Sequence, residues 1–230
     1  MFENESLSFE EQTIIQAAAR YVQQELANEA SGHDWWHIYR VTQLAKTIAE
    51  KEQANLFLCI LTALLHDIGD EKFNESEEAG LLKVQQWLEA NNVSTEQTNH
   101  ILSIIANMSF KGGNTGKTVT TLEGKVVQDA DRLDAIGAIG IARVMAYSGN
   151  KGRLIHDPHK QPREQLTQEE YRNGEDTAIM HFYEKLLKLK EQINTNYGRL
   201  LAEKRHQFME LYLEEFYQEW DGHRDRKSVV

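Results

Sequence analysis

Apolar residues return every three or four positions along most of this chain, and that period predicts helices. Ile38, Val41, Leu44, Ala45 and Ile48 form one such stripe and predict a helix over 34–52. The same period predicts helices over 8–28, 76–91, 94–108 and 196–220. Ser8-Phe9-Glu10-Glu11 and Ser94-Thr95-Glu96-Gln97 read as capping boxes that open two of them. Leu56 to Asp67 is apolar almost all round until its last two residues, which marks a central, buried helix. Thr120-Thr121-Leu122-Glu123 opens a long helix or a helix pair over 121–147, and a further helix is expected over 174–192. No segment of useful length alternates with the period of a strand, and there is no internal repeat or low-complexity tract. The expectation is a single all-α domain over 1–230, a helical bundle of about eight helices.

Two loops interrupt this pattern. Lys111 to Thr118 is rich in glycine, and Ser148 to Asn173 holds both prolines of the chain, Pro158 and Pro162. The second loop exceeds the usual connection length, and such loops often carry function. The C-terminal HRDRKSVV reads as a frayed tail.

Composition narrows the function. Hydrophobic content is 40% over 230 residues, enough for one sizeable core. A net charge of −11 repels phosphate backbones and argues against non-specific nucleic-acid binding. A small phosphorylated substrate stays compatible with that charge if a metal or a local group of bases offsets the field. The single cysteine, Cys59, has no intramolecular partner, which fits a reducing cytoplasm. The N-terminal MFENESLSFEEQ has no basic or apolar leader region, and no stretch approaches the length of a membrane span. A cytoplasmic protein without membrane contact is therefore expected. An amphipathic C-terminal helix is compatible with a homodimer, and equally with closing the core.

The chemistry concentrates where the central helix turns polar. His66-Asp67 ends an apolar run, and buried polar groups must be satisfied there. One reading makes His66 a cap for helix carbonyls, with Asp67 opening a turn at Gly69. The other has both side chains converge on a divalent cation beyond the helix end, since imidazole and carboxylate suit such an ion. Two further segments favour the second reading. In HDWWHIYRV, His33, His37 and Arg40 share a helical face. In VVQDADRLDAIGAIGIAR, Asp129, Asp131, Arg132 and Asp134 interrupt an otherwise apolar helix, where acids are costly unless they coordinate or pair.

The order His37, His66-Asp67, Asp131 resembles the HD-domain superfamily of metal-dependent phosphohydrolases. The resemblance rests on HIYRV, the His-Asp doublet and DADRL, within 33–143. It implies that His37, His66, Asp67 and Asp131 bind one divalent metal. Mixed nitrogen and oxygen ligation without thiolate favours Mn²⁺, with Fe²⁺, Co²⁺, Mg²⁺ and Zn²⁺ as alternatives. SFKGG and QDADRLDAIGAIGIAR are similar to a bacterial YpgQ-like subgroup, which implies hydrolysis of nucleoside triphosphates to monophosphate and pyrophosphate. The rival readings are a nucleotidase or phosphodiesterase using the same metal, and a regulator that binds nucleotide or metal without turnover.

Other residues take roles around that centre. Asp70, with Glu71 second, sits where several HD phosphohydrolases carry an acid that orients the attacking water; both also read as solvated acids past a helix end. Guanosine tetraphosphate hydrolases of the superfamily carry Glu-Asp at these offsets; the order here is Asp-Glu, which argues against that substrate. His33 contacts a leaving oxygen or phosphate, or packs beside Trp36. Arg40 clamps phosphate or pairs with an acid, and Lys46 joins it or is solvated. Asp134 contacts a sugar hydroxyl, orients an imidazole, or pairs with Arg132 or a lysine. The glycine-rich loop is a flap that carries Lys111 and Lys117 toward phosphates, or an ordinary mobile loop; Lys151 and Arg153 are candidate substrate contacts from the second loop. Trp35, Trp36 and Trp87 read as core or cleft wall rather than as a platform for bases.

Three look-alikes are set aside. His33-Asp34-Trp35-Trp36-His37 is one acid away from HExxH, but Asp34 is a methylene short of the required glutamate. Gly112 to Thr118 approaches a P-loop, but Lys111 stands where its first glycine belongs. A second doublet, His156-Asp157, falls in the proline-bearing loop without a helical scaffold.

Overall fold

A computed structural model describes residues 2, 4–27, 34–70, 74–108, 118–163 and 176–222. Among these residues the regular structure is entirely helical. The helices are α1 (Phe9–Glu25), α2 (Trp35–Glu52), α3 (Leu56–Leu65), α4 (Glu77–Ala90), α5 (Thr95–Met108), α6 (Leu122–Asp134), α7 (Gly137–Asn150), α8 (Ala178–Glu184) and α9 (Asn196–Trp220).

Local sequence chemistry sets the helix starts. Ser8 and Glu11 form the expected capping box, with Ser8 Oγ accepting from the Glu11 amide and Glu11 Oε2 from the Ser8 amide. Asp34 caps α2 by accepting from the His37 amide at 2.9 Å. The acid of HDWWH thus builds a helix terminus and places His37 in its first turn. Asn55, Ser76, Thr121 and Thr195 cap α3, α4, α6 and α9 in the same way.

The 121–147 segment is a helix pair. Between its halves, Gly137 has φ +75°, and a Cβ there would lie 2.9 Å from Arg205 Cγ. The 174–192 segment is less regular than its period suggests. Among its described residues, 176–192, only Ala178–Glu184 is α-helical, followed by two short 3₁₀ turns at Leu186–Lys188 and Lys190–Gln192.

Two apolar clusters fill the interior, and α3 stands between them. Leu58, Ile60, Leu61, Leu64 and Leu65 join the residues of α1, α4 and α5. Cys59 and Ala63 face the other cluster, formed with α2, α6, α7, α8 and α9. Small residues at Ala45, Ala49, Cys59, Ala63 and Ala130 let α2, α3 and α6 approach closely. With Leu56 alone partly exposed, α3 is hydrophobic all round because it is surrounded all round. Each fully buried leucine there contributes about 1.5–3 kcal/mol.

After α3 the chain folds into a tight turn over residues 66–70. The Asp70 amide bonds to the Asp67 carbonyl at 3.1 Å. Asn74 Nδ2 donates to the carbonyls of Ile68 and Asp70, both at 2.8 Å. Gly80 in α4 packs directly on this turn: a Cβ there would meet the Gly69 carbonyl oxygen at 2.4 Å. The turn is thereby held against α4, and its direction is set by the core beneath it.

Candidate metal centre

Three helices meet at the C-terminal end of α3. His37 comes from α2, His66 and Asp67 from the end of α3, and Asp131 from α6. His37 Nε2 lies 3.5 Å from Asp67 Oδ2 and 3.5 Å from Asp131 Oδ1. His66 Nε2 lies 3.3 Å from Asp67 Oδ1. Candidate ligand atoms of His37, His66 and Asp67 all fall within 4.8 Å of one another. Donors held about 2.1 Å from a shared ion sit roughly 3–4 Å apart, so this spacing fits one cation.

Each imidazole is turned by a bond to its other nitrogen. His66 Nδ1 donates to the Ala63 carbonyl at 2.8 Å, because a carbonyl can only accept. His66 therefore caps the helix with one nitrogen and presents the lone pair of the other to the cluster. The capping reading of the doublet holds for this residue, and it leaves Nε2 directed at the cluster. Its Nε2 is buried and makes no hydrogen bond among the described residues. Such an atom is costly unless something coordinates it. His37 Nδ1 donates to Asp134 Oδ2 at 2.8 Å, which turns Nε2 toward Asp67 and Asp131.

The electrostatics favour a cation. Burial pulls the pKa of His66 down, but the carboxylates of Asp67 and Asp131, the bond to Ala63 and the charge of Asp70 outweigh it and raise it. A pocket that draws a proton onto a buried imidazole also draws a metal ion. His37, His66 and Asp67 are buried, whereas the Asp131 side chain is 40% exposed and opens the cluster to solvent. Two imidazoles and two carboxylates, with no thiolate, fit a first-row divalent ion. Cys59 is buried in the core, where desolvation and then the charge of Glu123 push its thiol pKa up.

Behind His37 lies a clamp of charges. Asp134 is 1% exposed and accepts from Arg40 Nε at 2.6 Å, Arg40 Nη2 at 3.0 Å and Arg143 Nη1 at 2.6 Å. Burial alone would raise its pKa; the bonds from His37 and Arg40 and the charge of Arg143 hold it well below the usual carboxylate range instead. Arg132, one of the partners considered from the sequence, donates instead to the Gln192 carbonyl. Arg143 had no place in the sequence reading. It lies nine residues beyond Asp134, across the break at Gly137, where helical spacing carries no information.

The remaining acid of α6 has a separate task. Asp129 is fully buried and accepts from the Asn194 and Thr195 amides, from Asn194 Nδ2 and from Thr195 Oγ1, at 2.7–3.1 Å. It anchors the start of α9.

The other sequence candidates divide as follows. Asp70 sits in the turn beside Asp67 and acts electrostatically on His66. Lys46 follows His37 by nine residues of α2, which puts it on roughly the opposite side and about 13 Å along the axis. Lys151 and Arg153 gather around Tyr147, 5.8 and 5.6 Å from its ring centroid, and Arg153 also pairs with Asp176 at 3.0 Å. They form a patch of their own on the loop after α7. Trp35 packs among Phe2 and Tyr39, whereas Trp36 is 59% exposed. His33, Glu71 and Lys111 lie outside the described residues, as does the P-loop-like segment up to Lys117.

The family model of the HD domain matches residues 35–136, a span holding His37, His66, Asp67, Asp131 and Asp134. The chain is 42% identical over 190 residues to the uncharacterized protein YpgQ of Bacillus subtilis, covering 82% of this chain and 85% of that one. An HD-superfamily hydrolase from Bacillus thuringiensis superposes with a TM-score of 0.76 at 48% identity, covering 92% of this chain and 98% of that one. The crystal structure of B. subtilis YpgQ in complex with ADP superposes with a TM-score of 0.74 at 36% identity, covering 92% and 97%.

Proposed function

This chain belongs to the HD-domain superfamily of metal-dependent phosphohydrolases, and on that premise we propose that it hydrolyses nucleoside triphosphates to monophosphate and pyrophosphate. The observation that carries the reading is the convergence of His37, His66, Asp67 and Asp131 beside a clamp with surplus positive charge. YpgQ of B. subtilis was crystallised with ADP, which supports a nucleotide as the ligand class here.

In this reading His37 and His66 hold a divalent cation through Nε2, and Asp67 and Asp131 hold it through carboxylate oxygen. Mn²⁺ is the favoured ion. When bound, it supplies Lewis acidity, lowering the pKa of water and shielding phosphate charge. Its two charges offset those of Asp67 and Asp131. Arg40, Arg143 and Asp134 then leave one net positive charge beside the centre, which suits a polyphosphate on an otherwise acidic protein. Asp70 orients water and takes its proton. The water oxygen bonds to the α-phosphorus, and the bond from that phosphorus to the β-phosphate bridging oxygen breaks. Pyrophosphate departs with the electron pair. Arg40 spends Nε and one Nη2 donor on Asp134, and its Nη1 donors serve a phosphate oxygen.

The test is a turnover screen of metal-stripped protein resupplied with Mn²⁺ or Mg²⁺ against the common NTPs and dNTPs, detecting pyrophosphate and phosphate separately. Metal-dependent pyrophosphate release is the expected result. Phosphate as the first product would overturn the proposal in favour of a nucleotidase. Metal binding without turnover would favour a binding role.

A further inference from the structure

We propose that Arg143 is a positioning residue of the metal centre, acting from α7 through Asp134 on His37. The inference rests on the metal reading of the site. It concerns a residue beyond the span matched by the HD family model.

Asp134 is held by donors from two other helices, α2 and α7. It is the last residue of α6, next to the break that leads into α7. Its Oδ2 receives three bonds, from His37 Nδ1, Arg40 Nη2 and Arg143 Nη1. Two of those donors come from α2, one turn apart. The backbone of α6 fixes where Asp134 starts, but without Arg143 the side-chain donors that set the direction of its carboxylate would all come from α2. Arg143 is the donor that ties the carboxylate to α7.

The same Nη1 lies 3.5 Å from the main-chain carbonyl oxygen of Asp134. Arg143 thus spans the side chain and the backbone of the terminal residue of α6. That is also the negative end of the helix dipole, where a cation is favoured. Asp131 lies one turn earlier on α6, so the helix end that Arg143 steadies carries a candidate ligand as well. Through Asp134 it fixes the direction of the His37 Nδ1 bond, and hence where Nε2 points. A change of about 10–100-fold in metal affinity is usual when such an outer partner is lost.

A phosphate-binding arginine and a merely structural one would behave differently. The first would raise KM and leave the affinity for metal alone unchanged. The second would lower thermal stability with the same result for metal. A positioning residue moves the metal affinity and the state of His37.

The experiment uses the full chain, stripped of metal, as wild type, Arg143→Met, Arg143→Lys and His37→Ala. Methionine keeps the apolar stem of the side chain for packing and removes the donors. Mn²⁺ alone is titrated by calorimetry, and the imidazole ¹⁵N resonances of His37 are recorded without metal. The expected result is about tenfold weaker Mn²⁺ binding in Arg143→Met. The His37 Nδ1 resonance shifts as its bond to Asp134 loosens, and Arg143→Lys recovers part of both. Wild-type affinity and an unchanged His37 resonance in Arg143→Met, with affinity lost in His37→Ala, would overturn this inference and leave the metal reading intact. Absence of Mn²⁺ binding by the wild type would overturn both. If Arg143→Met fails to fold, the lysine variant decides: equality with wild type in both readouts overturns the proposal.

Discussion

The dipeptide His-Asp occurs twice in this chain, and the two copies have different fates. His66-Asp67 sits at the end of a buried helix, with His66 Nδ1 bonded to a carbonyl and its Nε2 directed into a cluster of acids. His156-Asp157 lies on the loop after α7. There His156 packs edge-on among Phe216, Tyr217 and Trp220, with centroid distances of 5.8, 5.4 and 4.8 Å. Asp157 Oδ1 accepts from the His159 amide at 2.9 Å and closes its own turn. The residue types are the same; the difference lies in what stands opposite. The first pair faces two other helices carrying complementary donors. The second faces aromatic carbon and itself. A motif becomes a site when the fold brings it partners that a lone pair cannot supply.

The largest expected effect breaks the first doublet. Asp67→Ala should lower metal-dependent phosphohydrolase turnover by more than about 100-fold, beyond the 10–100-fold typical of outer partners. Initial rates at saturating Mn²⁺ check this, and activity within a few-fold of wild type would remove Asp67 from the centre.

Next comes a contrast within α6, where acids two and three residues apart do different work. Asp129→Ala leaves the donors of half-buried Asn194 and buried Thr195 unsatisfied, which should cost about 3 kcal/mol in urea unfolding. Mn²⁺ affinity should stay unchanged, and a change there would show that Asp129 belongs to the centre after all.

A third test contrasts two histidines. The acids around His66 raise its pKa, whereas His181 is pulled down to about 4 by burial and then by Lys185. A histidine with a lowered folded pKa binds protons more weakly than in the unfolded chain. Its contribution is complete above the unfolded value of about 6.5 and is lost as pH falls from there toward 4. Metal-free protein should lose about 3 kcal/mol over that window from this group, and His181→Gln should flatten the slope. An unaltered slope in the variant would assign the acid sensitivity elsewhere.

The smallest effect belongs to the second doublet. Asp157→Ala should change stability by no more than about 0.5 kcal/mol and leave turnover within about twofold. A large loss of turnover would mean that the loop after α7 reaches the centre and that the two doublets are not as separate as their surroundings imply.

Much of this protein was legible before any tertiary structure. Apolar period and capping residues marked the helices, and an apolar run without a polar face marked α3 as the central helix. The order His37, His66-Asp67, Asp131 pointed to one cluster. Irregularity was harder to read: 178–192 keeps a helical period yet folds into a short helix and two 3₁₀ turns, because period reports which positions are apolar and not how tightly the backbone winds.

Sequence by itself therefore determined most of the helices, the buried element and the candidate ligands. Tertiary structure decided which acid does what. On α6, Asp129, Asp131 and Asp134 leave the axis in different directions because successive residues turn by about 100°. That rotation is a property of one helix and is known from sequence. What lies in each direction is not: the start of α9 for Asp129, His37 Nε2 for Asp131, and His37 Nδ1, Arg40 and Arg143 for Asp134. Those partners are 9 to 97 residues away along the chain in no fixed relation, since docking of helices is set by the packing of the whole core.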